Sequence, residues 1–320
     1  MKPLLSIQYL RAFAALAVVA FHSGRATILG QAGVDVFFVL SGFLMWAVTA
    51  KAIGPLEFLN HRILRIVPLY WIATVAMAAT LGAPIADTFR SLMFDPYRGS
   101  AGHLWPVLIQ GWTLNYEMFF YAVFAATLFI PRRFRLIVLT AGLVGSSAAG
   151  LLFQPFNAVA ETYTNPLLLE FLGGVWVAEA CLHGKLPATG TAIALIVLGL
   201  AGFLISLFGV VPVTDRFIVW GIPSLLVVTG VITIEVRHGM PVIGPLRLLG
   251  DASYSIYLFH SFPVDTIARA LAGSSAVVVV AAIVFAGAGL GLTAFYVIEK
   301  PLTGWLKDHL RVGPKLIVAA

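Results

Sequence analysis

The sequence predicts an all-α polytopic membrane protein with about ten transmembrane helices and both termini in the cytoplasm. Composition is the first reason. Of 320 residues, 60% are hydrophobic and 11% charged, with a mean hydropathy of +0.97. A soluble domain carries about a quarter charged residues, so this chain lacks the charge to coat a water-facing surface. The second reason is recurrence: apolar runs of about 18 residues or more, each able to cross ~30 Å of hydrocarbon, follow one another along the whole length. The third is the placement of cations. Of the 20 Lys and Arg, 14 fall at joints on the side of the N-terminus. Five (Arg25, Arg90, Arg98, Arg216 and Arg269) fall on the other side, and Arg11 lies within the first span. Cytoplasmic loops gather Lys and Arg, so the N-terminal side is read as the inside.

The net charge of +6 does not point to nucleic acid, because the basic residues mark span ends and form no polar face or tail. The single cysteine, Cys181, excludes an internal disulfide and a thiol metal site, and the seven histidines show no pair at metal-ligand spacing.

The spans are placed at 6–24, 33–50, 64–83, 107–130, 136–153, 165–183, 190–210, 217–235, 251–270 and 275–298, with a short cytoplasmic tail at 299–320. Joints such as "PRRFR" (131–135) and "EVRHGMP" (235–241) carry the polar residues, Pro and Gly that end helices. The first span follows Lys2 as a secretory signal would. It has no small-residue cleavage site and is interrupted by Arg11, so it is read as a retained helix. No internal repeat is visible, which weighs slightly against a transporter.

Within the first span Arg11 and His22 stand 11 residues apart. At about 100° per residue they differ by about 20° after three full turns, and by about 16 Å along the axis. One face therefore offers a permanent cation towards the inside and a titratable base near the outer end. Arg11 alone could snorkel to the headgroups and His22 alone could be interfacial, but two ionisable groups on one intramembrane face favour function.

The second span opens with "GVDVFFVLSGF" (33–43), which places Asp35 at the expected depth of His22. A carboxylate there can hold an imidazole in one tautomer; in the first turn of a helix it can equally act as a cap. Ser41 lies further along the same span. The third span carries Arg62 and Arg65 at i, i+3 in "HRILR" (61–65), a pair suited to phosphate and equally suited to topological anchoring. In the fourth, "GWTLNYEMFFY" (111–121) puts Glu117 in the outer half, beside Trp112, Tyr116 and Tyr121. Those rings are read as a wall for a sugar or as an interfacial belt. Glu170 in the sixth span has no assignment from the residues alone. The seventh and tenth spans carry no charge and read as scaffold. In the ninth, "DASYSIYLFH" (251–260) aligns Ser253, Tyr257 and His260 at i, i+4 and i+7, with Tyr254 beside them. This stripe lines a tunnel or packs against neighbours.

Anion-binding groups inside, a base outside and a polar path between them suit chemistry conducted across a membrane. At these residues the chain resembles the acyltransferase 3 family of integral-membrane O-acyltransferases, and in particular its stand-alone exopolysaccharide-modifying branch. The resemblance runs from Ile7 to Pro301 through "IQYLRAFAALAVVAFH", "GVDVFFVLSGF", "RILRIVPLYW", "WTLNYEMFFY", "LLLEFLGG", "GDASYSIYLFH" and "YVIEKP". Each motif is weak alone, and seven in order are specific.

The resemblance implies a single transmembrane acyltransferase domain over 1–320 in the cytoplasmic (inner) membrane. It implies acetyl-CoA or another acyl-CoA as co-substrate, with no permanently bound cofactor or metal. The acceptor it implies is a carbohydrate or lipid-linked glycan hydroxyl; membrane lipid and polysaccharide-synthesis proteins are the other expected partners. Five residues follow Lys315, too few for the fused hydrolase-like domain some members carry. By motif, Arg11 and His22 take the family's first-helix positions, and Arg62 and Arg65 its cytoplasmic arginine pair. The expected roles are then His22, Asp35 and Glu117 in catalysis and Arg11, Arg62 and Arg65 in donor binding. Ser41, Trp112, Tyr116, Ser253, Tyr254, Tyr257 and His260 are expected to line the tunnel or the acceptor's place. A transporter of a sugar or anion and a structural subunit of a polysaccharide-export complex are the competing classes; His22-dependent acyl-CoA hydrolysis separates them.

Overall fold

Fifteen α-helices account for the chain in a computed structural model that describes residues 3–51, 53–99, 102–208 and 215–309. In order they are α1 (Leu5–His22), α2 (Ala32–Val48), α3 (Pro55–Leu81), α4 (Ile85–Leu92), α5 (Gly111–Thr127), α6 (Arg132–Phe153), α7 (Ala158–Tyr163) and α8 (Leu168–Leu182). Then come α9 (Thr189–Ser206), α10 (Ile222–His238), α11 (Gly244–Asp251), α12 (Ser253–Phe259), α13 (Val264–Ala270), α14 (Ala276–Ala294) and α15 (Lys300–His309). No strand occurs among the described residues. The predicted tail beyond residue 309, and Lys2, Arg311 and Lys315 among the cations that set the orientation, lie outside them.

Among the described residues eight helical stretches are long and apolar enough to cross a membrane: Leu5–His22, Ile28–Val48, Pro55–Leu81, Arg132–Phe153, Ala158–Leu182, Thr189–Ser206, Phe217–His238 and Ala276–Leu306. They match eight of the ten predicted spans. The other two depart from expectation in instructive ways. The predicted span at 107–130 is the 17-residue α5, preceded by non-helical turns up to Gln110. The predicted span at 251–270 is two seven-residue helices, α12 and α13, parted by turns at His260–Pro263. Pro263 has no N–H to donate into a continuing helix, and the chain restarts after it.

The described residues fall into two units, each discontinuous in sequence. The first comprises Met1–Ala50 and Glu170–Phe295; the second, Lys51–Leu169 and Tyr296–Pro314.

In the first unit α1 starts on a carboxylate from far along the chain: Leu5 and Ser6 donate their backbone N–H groups to Glu235 of α10, each at 2.7 Å. Those N–H groups have no partner within the helix, and a negative charge there also suits the helix dipole. Tyr9 ties the same end down by donating to the Pro241 carbonyl at 2.6 Å. The interior is built of small and branched residues, Ala15 and Val19 of α1 against Ala252, Ile256, Val279 and Ile283.

Lipid tails are as apolar as Leu, so helices in a membrane associate by close packing rather than by hydrophobic transfer. Two glycines show how close. A Cβ on Gly42 of α2 would overlap the Phe171 carbonyl of α8, and one on Gly174 of α8 would overlap the Val39 carbonyl of α2. The two backbones touch through reciprocal glycines.

The second unit is packed by aromatic rings: Phe58 of α3 lies 5.2 Å from Phe124 and 6.2 Å from Tyr121 of α5. Large apolar side chains such as Leu152, Phe153, Phe129 and, in the first unit, Phe285 and Val277 stay exposed, as lipid-facing residues should.

Candidate active site

The shared face read from the 11-residue spacing in α1 is engaged at both ends by one stretch of chain. Arg11 is buried and its Nε–H donates to Ser253 Oγ at 3.0 Å. At the other end the imidazoles of His22 and His260 meet, with ring centroids 4.8 Å apart. Ser253 opens α12 and His260 closes it, so the predicted polar stripe faces α1. Tyr257 lies between them, its ring 6.1 Å from His260 and edge-on to Phe37 at 5.9 Å. Behind the stripe α14 comes close because it offers Gly287 at His260 and Gly291 at Ile256.

The hydrogen bonds of the two histidines fix which nitrogens carry protons. His260 Nδ1 faces the Tyr257 carbonyl at 2.8 Å and the Ile256 carbonyl at 3.3 Å. A carbonyl only accepts, so this nitrogen holds the proton and His260 Nε2 is a lone pair. His22 Nδ1 faces the Val18 carbonyl at 2.8 Å and His260 Nε2 at 3.2 Å. Two acceptors again demand a proton, shared between them, and His22 Nε2 is left as the lone pair. That atom has no hydrogen-bond partner among the described residues. An imidazole held in one tautomer with a vacant Nε2 is the arrangement of a general base or nucleophile.

Asp35 was expected to orient His22. Instead its carboxylate is fully buried and taken by Arg216, whose Nε and Nη2 donate to Oδ1 and Oδ2 at 3.1 and 2.7 Å. The same guanidinium donates to the Gln31 carbonyl at 2.8 Å and sits 4.9 Å from the centre of the Trp220 ring. A planar fork meeting a carboxylate with two parallel bonds is the strong geometry for such a pair. Equal depth in the bilayer does not fix direction around a helix, and Asp35 points towards the start of α10.

Glu170, left unassigned by the sequence, is the third member of this cluster. It is 1% exposed, packs against Gly221 where a Cβ would collide, and lies beside the Asp35 carboxyl. Arg216 was counted only as an outer cation. The signal that could have found it is a rule: a carboxylate within a span needs a cation, and Arg216 was one of five available on that side.

In the second unit Arg62 is buried in α3 against Tyr121 of α5, with Glu117 and Arg65 near enough to act on its charge. Tyr121 donates its hydroxyl proton to Glu117 one turn earlier. Glu117 thus belongs with the arginine pair of its own unit. Arg62 Nε has no partner among the described residues. Trp112 and Tyr116 meet edge to face at 5.9 Å, with Tyr116 buried and Trp112 half-buried. Ser41 is buried in α2 and Tyr254 is half-buried in α12. Among the described residues no group of three or more His, Cys, Asp or Glu is placed to hold a metal ion.

Residues 4–298 match the family model described as "Acyltransferase domain", of the acyltransferase 3 family. The chain is 40% identical over 298 residues to the exopolysaccharide production protein ExoZ of Rhizobium meliloti, covering 88% of this chain and 93% of that one. It is 30% identical over 285 residues to the putative membrane-bound transacylase BcsY of Komagataeibacter xylinus, covering 79% and 71%. It is 25% identical over 308 residues to the peptidoglycan O-acetyltransferase OatA of Listeria monocytogenes, where it spans 82% of this chain and 49% of that one. No solved structure matches. With the family model covering nearly the whole length and the membrane-crossing helices in place, the chain belongs to the acyltransferase 3 family and is a multi-pass membrane protein.

Proposed function

We propose that the protein transfers an acyl group, in the simplest case acetyl, from cytoplasmic acyl-CoA to a hydroxyl of a surface glycan at the outer face of the cytoplasmic membrane. The observation that carries this reading is the vacant Nε2 of His22, fixed by its tautomer and set on the same helix face as the buried Arg11. The acceptor class rests on the relatives: one is named for exopolysaccharide production and another for peptidoglycan O-acetylation.

In this reading the glycan hydroxyl oxygen attacks the thioester carbonyl while His22 Nε2 takes its proton. The tetrahedral intermediate then expels the CoA sulfur, which leaves as the thiol with the proton returned by the imidazolium. One C–S bond is exchanged for one C–O bond, and no oxidant, reductant or net proton is needed. Arg62 and Arg65 hold CoA phosphates, and the unpartnered Nε of Arg62 is a donor in want of an acceptor. Arg11 steers the acyl-bearing arm. An acyl-imidazole on His22 is the alternative course of the same reaction.

The test is sided. With the protein in liposomes, acetyl-CoA supplied at the face carrying the N-terminus and a glycan acceptor at the other, free CoA should appear only with both present. Release that ignores the acceptor, or that needs donor and acceptor on the same face, would contradict the proposal.

A further inference from the structure

We infer that His260 is a positioning residue that acts through His22. This rests on His22 being the base, and names the group that makes it an effective one. The sequence suggested a carboxylate for this duty, yet Asp35 is consumed by Arg216. The group that does face His22 Nδ1 from another helix is His260 Nε2, at 3.2 Å.

The chemistry suits a membrane interior. As His22 Nε2 takes a proton, its Nδ1–H becomes a stronger donor and needs an acceptor better than an amide carbonyl. The Val18 carbonyl lies one turn back on the same helix and cannot fix the ring from a second side. His260 can, because its own ring is immobilised. It is fully buried, held at Nδ1 by the Tyr257 carbonyl, and backed by Gly287 of α14, where a Cβ would come 3.1 Å from its own. A second carboxylate would do the same work only by placing another charge in the membrane, whereas a neutral imidazole accepts the bond without that desolvation cost. His260 moves no proton; it holds one in place on His22.

The break between α12 and α13 falls at this residue. The sequence pattern read 251–270 as one continuous span. The structure ends α12 at Phe259, and His260 caps that helix with its ring against His22 of α1.

Two isosteric halves of histidine separate this role from mere packing. His260→Asn keeps an N–H where Nδ1 meets Tyr257 and removes the acceptor; His260→Gln restores an oxygen near the position of Nε2. In liposomes His260→Asn should lower kcat about 10- to 100-fold, the range seen when a partner that orients a functional imidazole is lost. KM for acetyl-CoA should change less than about twofold, since a positioning effect is realised in the transition state alone. His260→Gln should recover most of the loss. In a His22→Gln background, His260→Asn should cost nothing further, because residues acting as one unit are not additive. A normal kcat for His260→Asn, no recovery with His260→Gln, or an added loss in the His22→Gln background would overturn the inference. Retained activity in His22→Gln alone would instead overturn the reading on which it rests.

Discussion

Two polar clusters lie buried within the first unit, and they are used up to different degrees. Around Asp35 the carboxylate and the guanidinium spend themselves on each other. Arg216 meets the carboxylate with two bonds, takes the Gln31 carbonyl with a third and covers Trp220, while Glu170 lies beside the Asp35 carboxyl. Around His22 the opposite holds. Three carbonyls and the contact between the two rings engage three of the four ring nitrogens, and the fourth, Nε2 of His22, is left over with no partner among the described residues. Intramembrane polar residues are costly in both places. A pair of charges that satisfies itself serves the fold; a cluster that leaves a reactive atom over serves chemistry.

The largest effect that can break this contrast is on stability. Removing one partner of a buried pair strands the other charge, which typically costs about 3–5 kcal/mol. Asp35→Ala or Arg216→Ala should therefore lower the midpoint of thermal unfolding in detergent sharply, while the double Asp35→Asn, Arg216→Gln should recover much of it. If either single variant unfolds normally yet loses transfer, the Asp35 cluster is catalytic and the contrast fails.

A smaller effect sharpens it from the other unit. Arg62→Ala with Arg65→Ala should weaken acetyl-CoA binding about 10-fold or more, because a hydrogen bond to a charged group contributes roughly 1.5–3 kcal/mol. The dissociation constant should also become less sensitive to salt, since fewer charges are engaged. Unchanged affinity at both low and high salt would leave the arginines as topological anchors.

Much of this was legible because helices are periodic. The 11-residue spacing of Arg11 and His22 sets them on one face by arithmetic alone, and the i, i+7 spacing of Ser253 and His260 makes a second stripe. That the two stripes face each other is tertiary information, decided by the glycines of α14 and the small residues of α1. Depth was overused. Asp35 and His22 were expected to meet because both lie near one end of their helices, but the Asp35 side chain points to Arg216, 181 residues away in sequence. For Glu117 the missing information was its neighbour: Tyr121, one turn on in the α5 that begins at Gly111, meets its carboxylate in the company of Arg62. The broken span at 251–270 was hidden by its apolar content, although Pro263 was there to be read.

The most direct test of the account is the rate of acyl transfer by His22→Gln, measured across pH with acetyl-CoA binding followed in parallel. Gln keeps the volume and a hydrogen-bonding head and removes the base. Loss of general-base assistance typically costs about 10²- to 10⁴-fold, so transfer should fall into that range while the dissociation constant for acetyl-CoA stays within about twofold. In the unmodified protein the rate should rise with pH as the imidazole loses its proton and its Nε2 lone pair becomes available, and in His22→Gln that rising limb should vanish. A near-normal rate for His22→Gln, or a rising limb that survives the substitution, would contradict the claim that the vacant nitrogen of His22 is the base.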